Sequence, residues 1–347
     1  MTMKFGGKRE DENMRDGRTL FGTDRRSLLK LVFGAALAQT VKPLSVFAGG
    51  VSPDAKDFSS YLTEKYLKVS RLTLKVGADK PFSALHFSDT HVSLSDARDI
   101  MEGNARSLVL FEARQPRFPV SVQSLAATLS YGMQRGMPLL NTGDLFDYRS
   151  EANIGCIANS FAGKDVFSAL GNHEGFGHHT KDMNPETAEA ALALRKRYES
   201  AMGHPLLVAS KVVNGVNFVA YDNGGLERWH LRERLEAIQA EFAKGLPVVL
   251  MCHKPLDTPE LRTFVTKRKA EKARKAGKEP KVIKGFGPHL QTDRDAAFMD
   301  ELKTHKDQIK AILCGHLHTD IRTSWNGVPM IVAGGNFEGK VNEIEFV

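Results

Sequence analysis

Two carboxylates close the apolar run Leu139-Leu140-Asn141-Thr142-Gly143-Asp144-Leu145-Phe146-Asp147. An Asp directly after a Gly-bounded apolar run stands where a buried strand meets solvent, the edge at which open α/β sheets gather their ligands. The arrangement recurs four more times. Run 84–88 ends in Asp89-Thr90-His91, run 166–170 in Gly171-Asn172-His173-Glu174, run 248–252 in His253, and run 311–314 in Gly315-His316-Leu317-His318. Singly, each has a structural explanation: Asp144 as a turn residue, His253 as a satisfied core imidazole. Together, two Asp, one Asn and four His exceed what one tetrahedral ion takes and suit a pair of hard or borderline cations such as Mn, Fe or Zn. Two ions of this kind promote in-line displacement at phosphorus, because they lower the pKa of a bridging water and neutralise the phosphoryl oxygens.

The elements that must position these residues are legible between the runs. Residues 67–76 alternate as an edge strand. Helical spacing covers 118–135, 185–202 and about 228–244, with Gly136 ending the first. Asn214-Gly215 and Asn326-Gly327 each join two β-type segments as hairpin turns, and 341–347 is a closing strand. Parallel βα units early and hairpins late predict two mixed sheets flanked by helices, a four-layer α/β/β/α sandwich over residues 66–347. The charged stretch 92–119 falls over the mouth of the site. A Gly- and His-rich loop follows Glu174, where His178 and His179 are close enough in sequence to meet a substrate. Cys156, Cys252 and Cys314 have no CxxC spacing and cannot all pair; Cys252 and Cys314 end apolar runs and read as small buried hydrophobes rather than as a disulfide.

At 347 residues and 41% hydrophobic composition the chain supports a sizeable core. Its net charge of +7 is local. Residues 1–48 hold nine Lys/Arg against five Asp/Glu, and a basic insertion at 262–284 holds ten against two, which leaves the rest of the chain negative. That distribution argues against a general nucleic-acid binder, and no interleaved basic and aromatic surface is apparent. The segment Asp24-Arg25-Arg26-Ser27-Leu28-Leu29-Lys30, the short apolar stretch 31–38 and Val46-Phe47-Ala48 resemble a twin-arginine signal peptide cleaved after Ala48, which implies the twin-arginine translocase as a partner and a periplasmic or secreted address. The apolar stretch is too short to span a bilayer, and no Cys follows Ala48 as a lipid anchor. Residues 49–65 read as a polar linker.

The ordered set Asp-x-His, Gly-Asp-x-x-Asp, Gly-Asn-His-Glu, a single His and Gly-His-x-His, running from Asp89 to His318, resembles the calcineurin-like metallophosphoesterases. By that resemblance Asp89, His91 and His318 hold one metal, Asn172, His253 and His316 hold the other, and Asp144 bridges them. His173 is then the general acid that protonates the leaving oxygen, and Asp147 the carboxylate that orients it. Tyr148 follows Asp147 where the protein Ser/Thr phosphatases have Arg, which stands one place later as Arg149. Purple acid phosphatases have Tyr in place of Asp147 and Gly in place of His91. The expectation is therefore a generic exported phosphoesterase acting on a phosphoester substrate. A phosphodiesterase or nuclease, and a non-catalytic metal-binding module of the same fold, are the alternatives.

Overall fold

The apolar runs become strands whose C-terminal ends share one edge. The computed structural model describes residues 53–176, 184–292 and 295–347; the leader 1–48 and the loop bearing His178 and His179 lie outside the described residues. In chain order the elements are α1 (Pro53–Tyr66), β1 (Lys68–Leu74), β2 (Phe82–Phe87), α2 (Ala97–Met101), α3 (Arg106–Arg114), α4 (Ser121–Gln134), β3 (Leu139–Asn141), α5 (Glu151–Phe161), β4 (Val166–Ser168), α6 (Asn172–Phe176) and α7 (Ala188–Met202). There follow β5 (Val208–Val213), β6 (Val216–Tyr221), α8 (Leu231–Phe242), β7 (Val248–Met251), α9 (Pro259–Lys275), α10 (Ala296–Thr304), β8 (Ile309–Cys314), β9 (Ile321–Trp325), β10 (Val328–Val332) and β11 (Lys340–Phe346).

Two sheets form, in the orders β1-β11-β2-β3-β4 and β5-β6-β7-β8-β10-β9. Three apolar clusters separate four layers. Leu140 and Phe167 of the first sheet meet Val249, Met251 and Leu313 of the second in the central cluster. Phe82, Phe218 and Phe346 join them, with ring centroids 5.1–6.0 Å apart. Outside the first sheet, α4, α5 and α7 supply Leu125, Leu129, Ile157 and Tyr198. Outside the second, α8, α9 and α10 supply Ile238, Leu261, Val265 and Phe298. The layering is the α/β/β/α sandwich expected from the order of elements.

Register explains the common edge. Phe87 pairs with Asn141 and Asn141 with Ser168, so β2, β3 and β4 end level. Met251 pairs with Leu313 and Val332 with Cys314, so β7, β8 and β10 do likewise. Both Asn-Gly turns carry left-handed backbone at both residues, as a tight hairpin requires. All three cysteines are free, Cys252 and Cys314 fully buried and Cys156 less so.

One stretch differs from expectation. Residues 53–65 of the expected linker 49–65 belong to α1, which lies against α4; helical spacing of apolar residues is hidden there within a polar composition. The stretch 92–119, expected over the mouth of the site, forms α2 and α3 and sets Arg114 against Asp147 and Phe118 against His91. Its helices are short: Asp96 caps the first in a capping box with Asp99, and α3 presents Leu110 inward.

Candidate metal centre

Turns of special shape carry the ligands out of the strands. Asp89, His91, Asp144, His316 and His318 all have left-handed φ, between 51° and 70°, a conformation uncommon for side chains other than Gly. The left-handed Gly143 makes the central turn possible: a Cβ there would lie 2.6 Å from the Gly171 nitrogen and 2.9 Å from Nδ1 of His253. Glu174 holds the same turn in shape. Its carboxylate accepts from the backbone N–H groups of Asp144, Leu145, Phe146 and Gly171 at 2.7–3.2 Å. Burial, and then the charge of Asp144, lift Glu174 to about 7. Nothing local in Gly-Asn-His-Glu signals this supporting role of Glu174, which arises only where the two turns meet.

All seven expected ligands converge. Nε2 of His318 lies 3.1 Å from Oδ1 of Asp89 and 3.0 Å from Nε2 of His91. His91 is in turn 3.7 Å from Oδ2 of Asp144. On the other side of Asp144, Nε2 of His253 is 3.1 Å from Oδ2, 3.1 Å from Oδ1 of Asn172 and 3.1 Å from Nδ1 of His316. The donor atoms of Asp89, His91, Asp144 and His318 form one cluster within 4.8 Å and those of Asp144, His253 and His316 another, so Asp144 belongs to both. The residues fit two ions. Oδ1 of Asp89 is buried without a hydrogen-bond partner, while Oδ2 accepts from the His316 N–H at 2.8 Å. A buried carboxylate oxygen that faces only the His91 and His318 rings, at 3.7 and 3.1 Å, is costly unless a cation completes it.

Groups behind the ligands fix which nitrogen faces inward. His253 donates from Nδ1 to the Thr142 carbonyl at 2.8 Å, and His316 from Nε2 to the Pro288 carbonyl at 3.0 Å. Nδ1 of His91 lies 3.3 Å from Oδ1 of Asp147, and Phe118 stacks on the His91 ring at 4.8 Å. Burial makes imidazoles less basic, but at His91 and His253 the facing carboxylates override it, lifting them to about 10 and about 9, whereas burial and then the charge of His253 hold His316 well below its ordinary value. Burial likewise opposes ionisation of Asp89, yet His318 and His91 hold it well below the usual carboxylate range.

Asp147 behaves differently from the expectation that its carboxylate orients His173. Arg114 of α3 grips that carboxylate with both Nε and Nη2, at 2.6 and 2.8 Å. What meets Nδ1 of His173 is the Asp147 backbone carbonyl, at 2.5 Å, while Oδ1 is 3.5 Å away. The carbonyl fixes the tautomer as a carboxylate would, leaving Nε2 directed at the centre, 3.9 Å from Oδ2 of Asp144. Burial depresses His173 to about 4, with Asp144 pulling the other way. Arg114 was not foreseen, since a lone Arg inside a charged stretch carries no local signal.

Residues 82–320, more than half the chain and the span that holds every ligand, match the calcineurin-like phosphoesterase family. Among curated proteins none matches. Solved structures similar to the chain include a dimetal phosphatase from Danio rerio, at 13% identity, covering 74% of this chain and 88% of that one with a TM-score of 0.42. A phosphopantetheinyl hydrolase from Mycobacterium tuberculosis is similar at 13% identity, with 74% and 90% covered and a TM-score of 0.39. A putative 5′-nucleotidase from Staphylococcus aureus gives 12% identity, 74% and 49% covered, and 0.36. The family works with a dinuclear metal centre, and the two donor clusters sharing Asp144 have that form. The chain belongs to the calcineurin-like phosphoesterases and is a metal-dependent phosphoester hydrolase.

Proposed function

We propose that the chain is an exported two-metal phosphoesterase with Asp144 as the shared ligand, and with His173 as the proton donor to the leaving oxygen. The observation that carries the reading is the double membership of Asp144. Asp89, His91 and His318 would complete one ion's shell, and Asn172, His253 and His316 the other's. When bound, the ions supply Lewis acidity that activates water for in-line attack and neutralises phosphoryl charge. The chain's own residues set the rest. His173 is held in one tautomer by the Asp147 carbonyl, so Nε2 at the rim can carry a proton to a departing alkoxide. The Asp144 carboxylate also accepts from the His173 N–H at 2.9 Å, which ties the donor's backbone to the centre.

Elemental analysis after loading with Mn, Fe or Zn, beside turnover of p-nitrophenyl phosphate, bis-p-nitrophenyl phosphate and natural monoesters, tests this reading and separates mono- from diesterase. One ion per chain, or no hydrolysis of any ester, would overturn it. Export rests on Arg25-Arg26 and the apolar stretch behind them. Among the described residues no helix is long and apolar enough to cross a membrane. Arg25→Lys with Arg26→Lys should trap a precursor in the cytoplasm, whereas the unaltered protein should begin at Gly49. Unchanged export of the double variant would remove the twin-arginine part of the reading.

A further inference from the structure

The segment that makes this chain basic reaches the metal centre. Arg268 of α9 donates to the Leu317 carbonyl, between ligands His316 and His318. The chain returning from α9 brings the Pro288 carbonyl to His316 and sets the His289 ring 6.2 Å from the His316 ring. Between the second half of α9 and that return runs a groove of about 730 Å³ with Pro288 among its walls.

Lys269, Lys272, Lys278, Lys281 and Lys284 line the groove against a single Glu279. Among the described residues none of the five is paired with a carboxylate, although neighbouring Arg262 is paired with Asp257. Charged surfaces ordinarily interleave the two signs, and five ammonium groups around one concavity repel each other unless an anion enters. Packing does not explain the arrangement, because α9 buries only Leu261 and Val265, both in its first half. Val282, 90% exposed, adds apolar surface to the groove wall.

We infer that this groove is a subsite for the alcohol half of the substrate, and that this half carries a phosphate of its own. The substrate class would be small bisphosphorylated molecules. The inference rests on the phosphoesterase reading above. Its volume suits a small ligand, and its lining lacks the aromatic residues on which nucleic-acid bases stack. The lysines continue from the point where α9 touches the His316–His318 loop: Lys272 stands four residues beyond Arg268, about 6 Å along the helix axis, and Pro288 of the groove wall meets His316.

The test uses the full-length, metal-loaded protein carrying His173→Asn, slow enough for equilibrium titration, with and without Gln at all five lysines. Calorimetry compares glucose 1,6-bisphosphate with glucose 1-phosphate. The bisphosphate is expected to bind roughly tenfold tighter, several weak exposed ion pairs adding up. The five-lysine variant should lose that margin while its affinity for the monophosphate stays put, and Arg at the five positions should restore it. Equal affinity for the two ligands before the lysines are changed, or an equal loss for both afterwards, would overturn the inference. Neither measurement needs turnover, so a protein that prefers the bisphosphate but hydrolyses no ester would sink the phosphoesterase reading alone.

Discussion

The two sheets contribute opposite chemistries to one centre. The first supplies all the carboxylates, Asp89 after β2 and Asp144 and Asp147 after β3, together with His91, Asn172 and His173. The second supplies only imidazoles, His253 after β7 and His316 and His318 after β8. Each donor cluster draws on both sheets. Backbone links from the chain that joins β10 of the second sheet to β11 of the first lie beside the same seam: the Asn336 N–H donates to the Ser88 carbonyl at 2.8 Å, and the Phe337 N–H to the Asp89 carbonyl at 3.1 Å. The centre is thus a catalytic site and also a fastening between layers, with negative charge on one side and proton-binding rings on the other. Loss of the shared carboxylate Asp144 should cost both ions, and loss of a single imidazole from the second sheet should cost one.

The largest effect should come from Asp144→Asn. It removes the one ligand common to both clusters, so both ions should be lost and kcat/KM should fall by about 10³-fold or more, beyond the cost of one electrostatic contact. His316→Ala, on the imidazole side, should release one ion and retain the other. Elemental analysis of the two variants checks the contrast; the same metal loss in both would erase the proposed difference between the sheets.

Next in size is His173→Asn, which removes no expected metal ligand and keeps the backbone N–H bond to Asp144. Turnover should drop roughly 10²- to 10⁴-fold with metal content intact. The loss should shrink for p-nitrophenyl phosphate, whose leaving group needs no proton. A uniform loss across leaving groups would make His173 a positioning residue.

How much of this centre could be read from the chain depends on which part is local. The five strands and the residues ending them were visible because burial and function coincide in one short pattern: apolar, apolar, then Asp, Asn or His. Both hairpins were visible because Asn-Gly announces its own backbone. What escaped reading arises from distance. Arg114 reaches Asp147 across 33 positions, and the Pro288 carbonyl meets His316 across 28. Left-handed φ at five ligands is a property of the assembled edge that no residue type signals. Asp147 shows the consequence, since its identity suggested a carboxylate-oriented His173, and only the presence of Arg114 redirects the carboxylate and leaves the carbonyl to do that work.

Arg114 therefore offers a sharper probe of the carboxylate side. Asp147 is fully buried, and although burial opposes its ionisation, Arg114 and His91 hold its carboxyl far below the usual range. Arg114→Met would leave that carboxylate without its bidentate partner, at a cost of about 3 kcal/mol in stability. Asp147 would then face only His91 and, at 3.5 Å, His173, and affinity for the ion at His91 should weaken roughly 10- to 100-fold, as for other supporting contacts of metal ligands. Arg114→Lys should recover the charge but lose one of the two hydrogen bonds, and so fall between. Metal titration with thermal melting distinguishes the pair. A loss confined to the ion at His253 and His316 would contradict the assignment of Arg114 to the first cluster.

The smallest effect tests the seam itself through protons. In the metal-free protein His91 and His253 are raised from 6.5 to about 10 and about 9, burial being outweighed by the facing carboxylates. A histidine whose folded pKa lies above its unfolded value stabilises the fold fully below about pH 6.5 and ceases to do so as pH rises through the folded value. Stability of the metal-free protein should accordingly decline from about pH 6.5 to 10, by roughly 1 to 3 kcal/mol in all, because the two rings share carboxylates. Bound ions replace those protons, so the loaded protein should lack this decline, and metal affinity should rise over the same window. Denaturant titrations of chelator-treated and loaded protein at intervals across that range make the comparison. Parallel pH dependence in the two forms would mean that the rings are not protonated against the carboxylates when the ions leave, and that the seam is held by its backbone links alone.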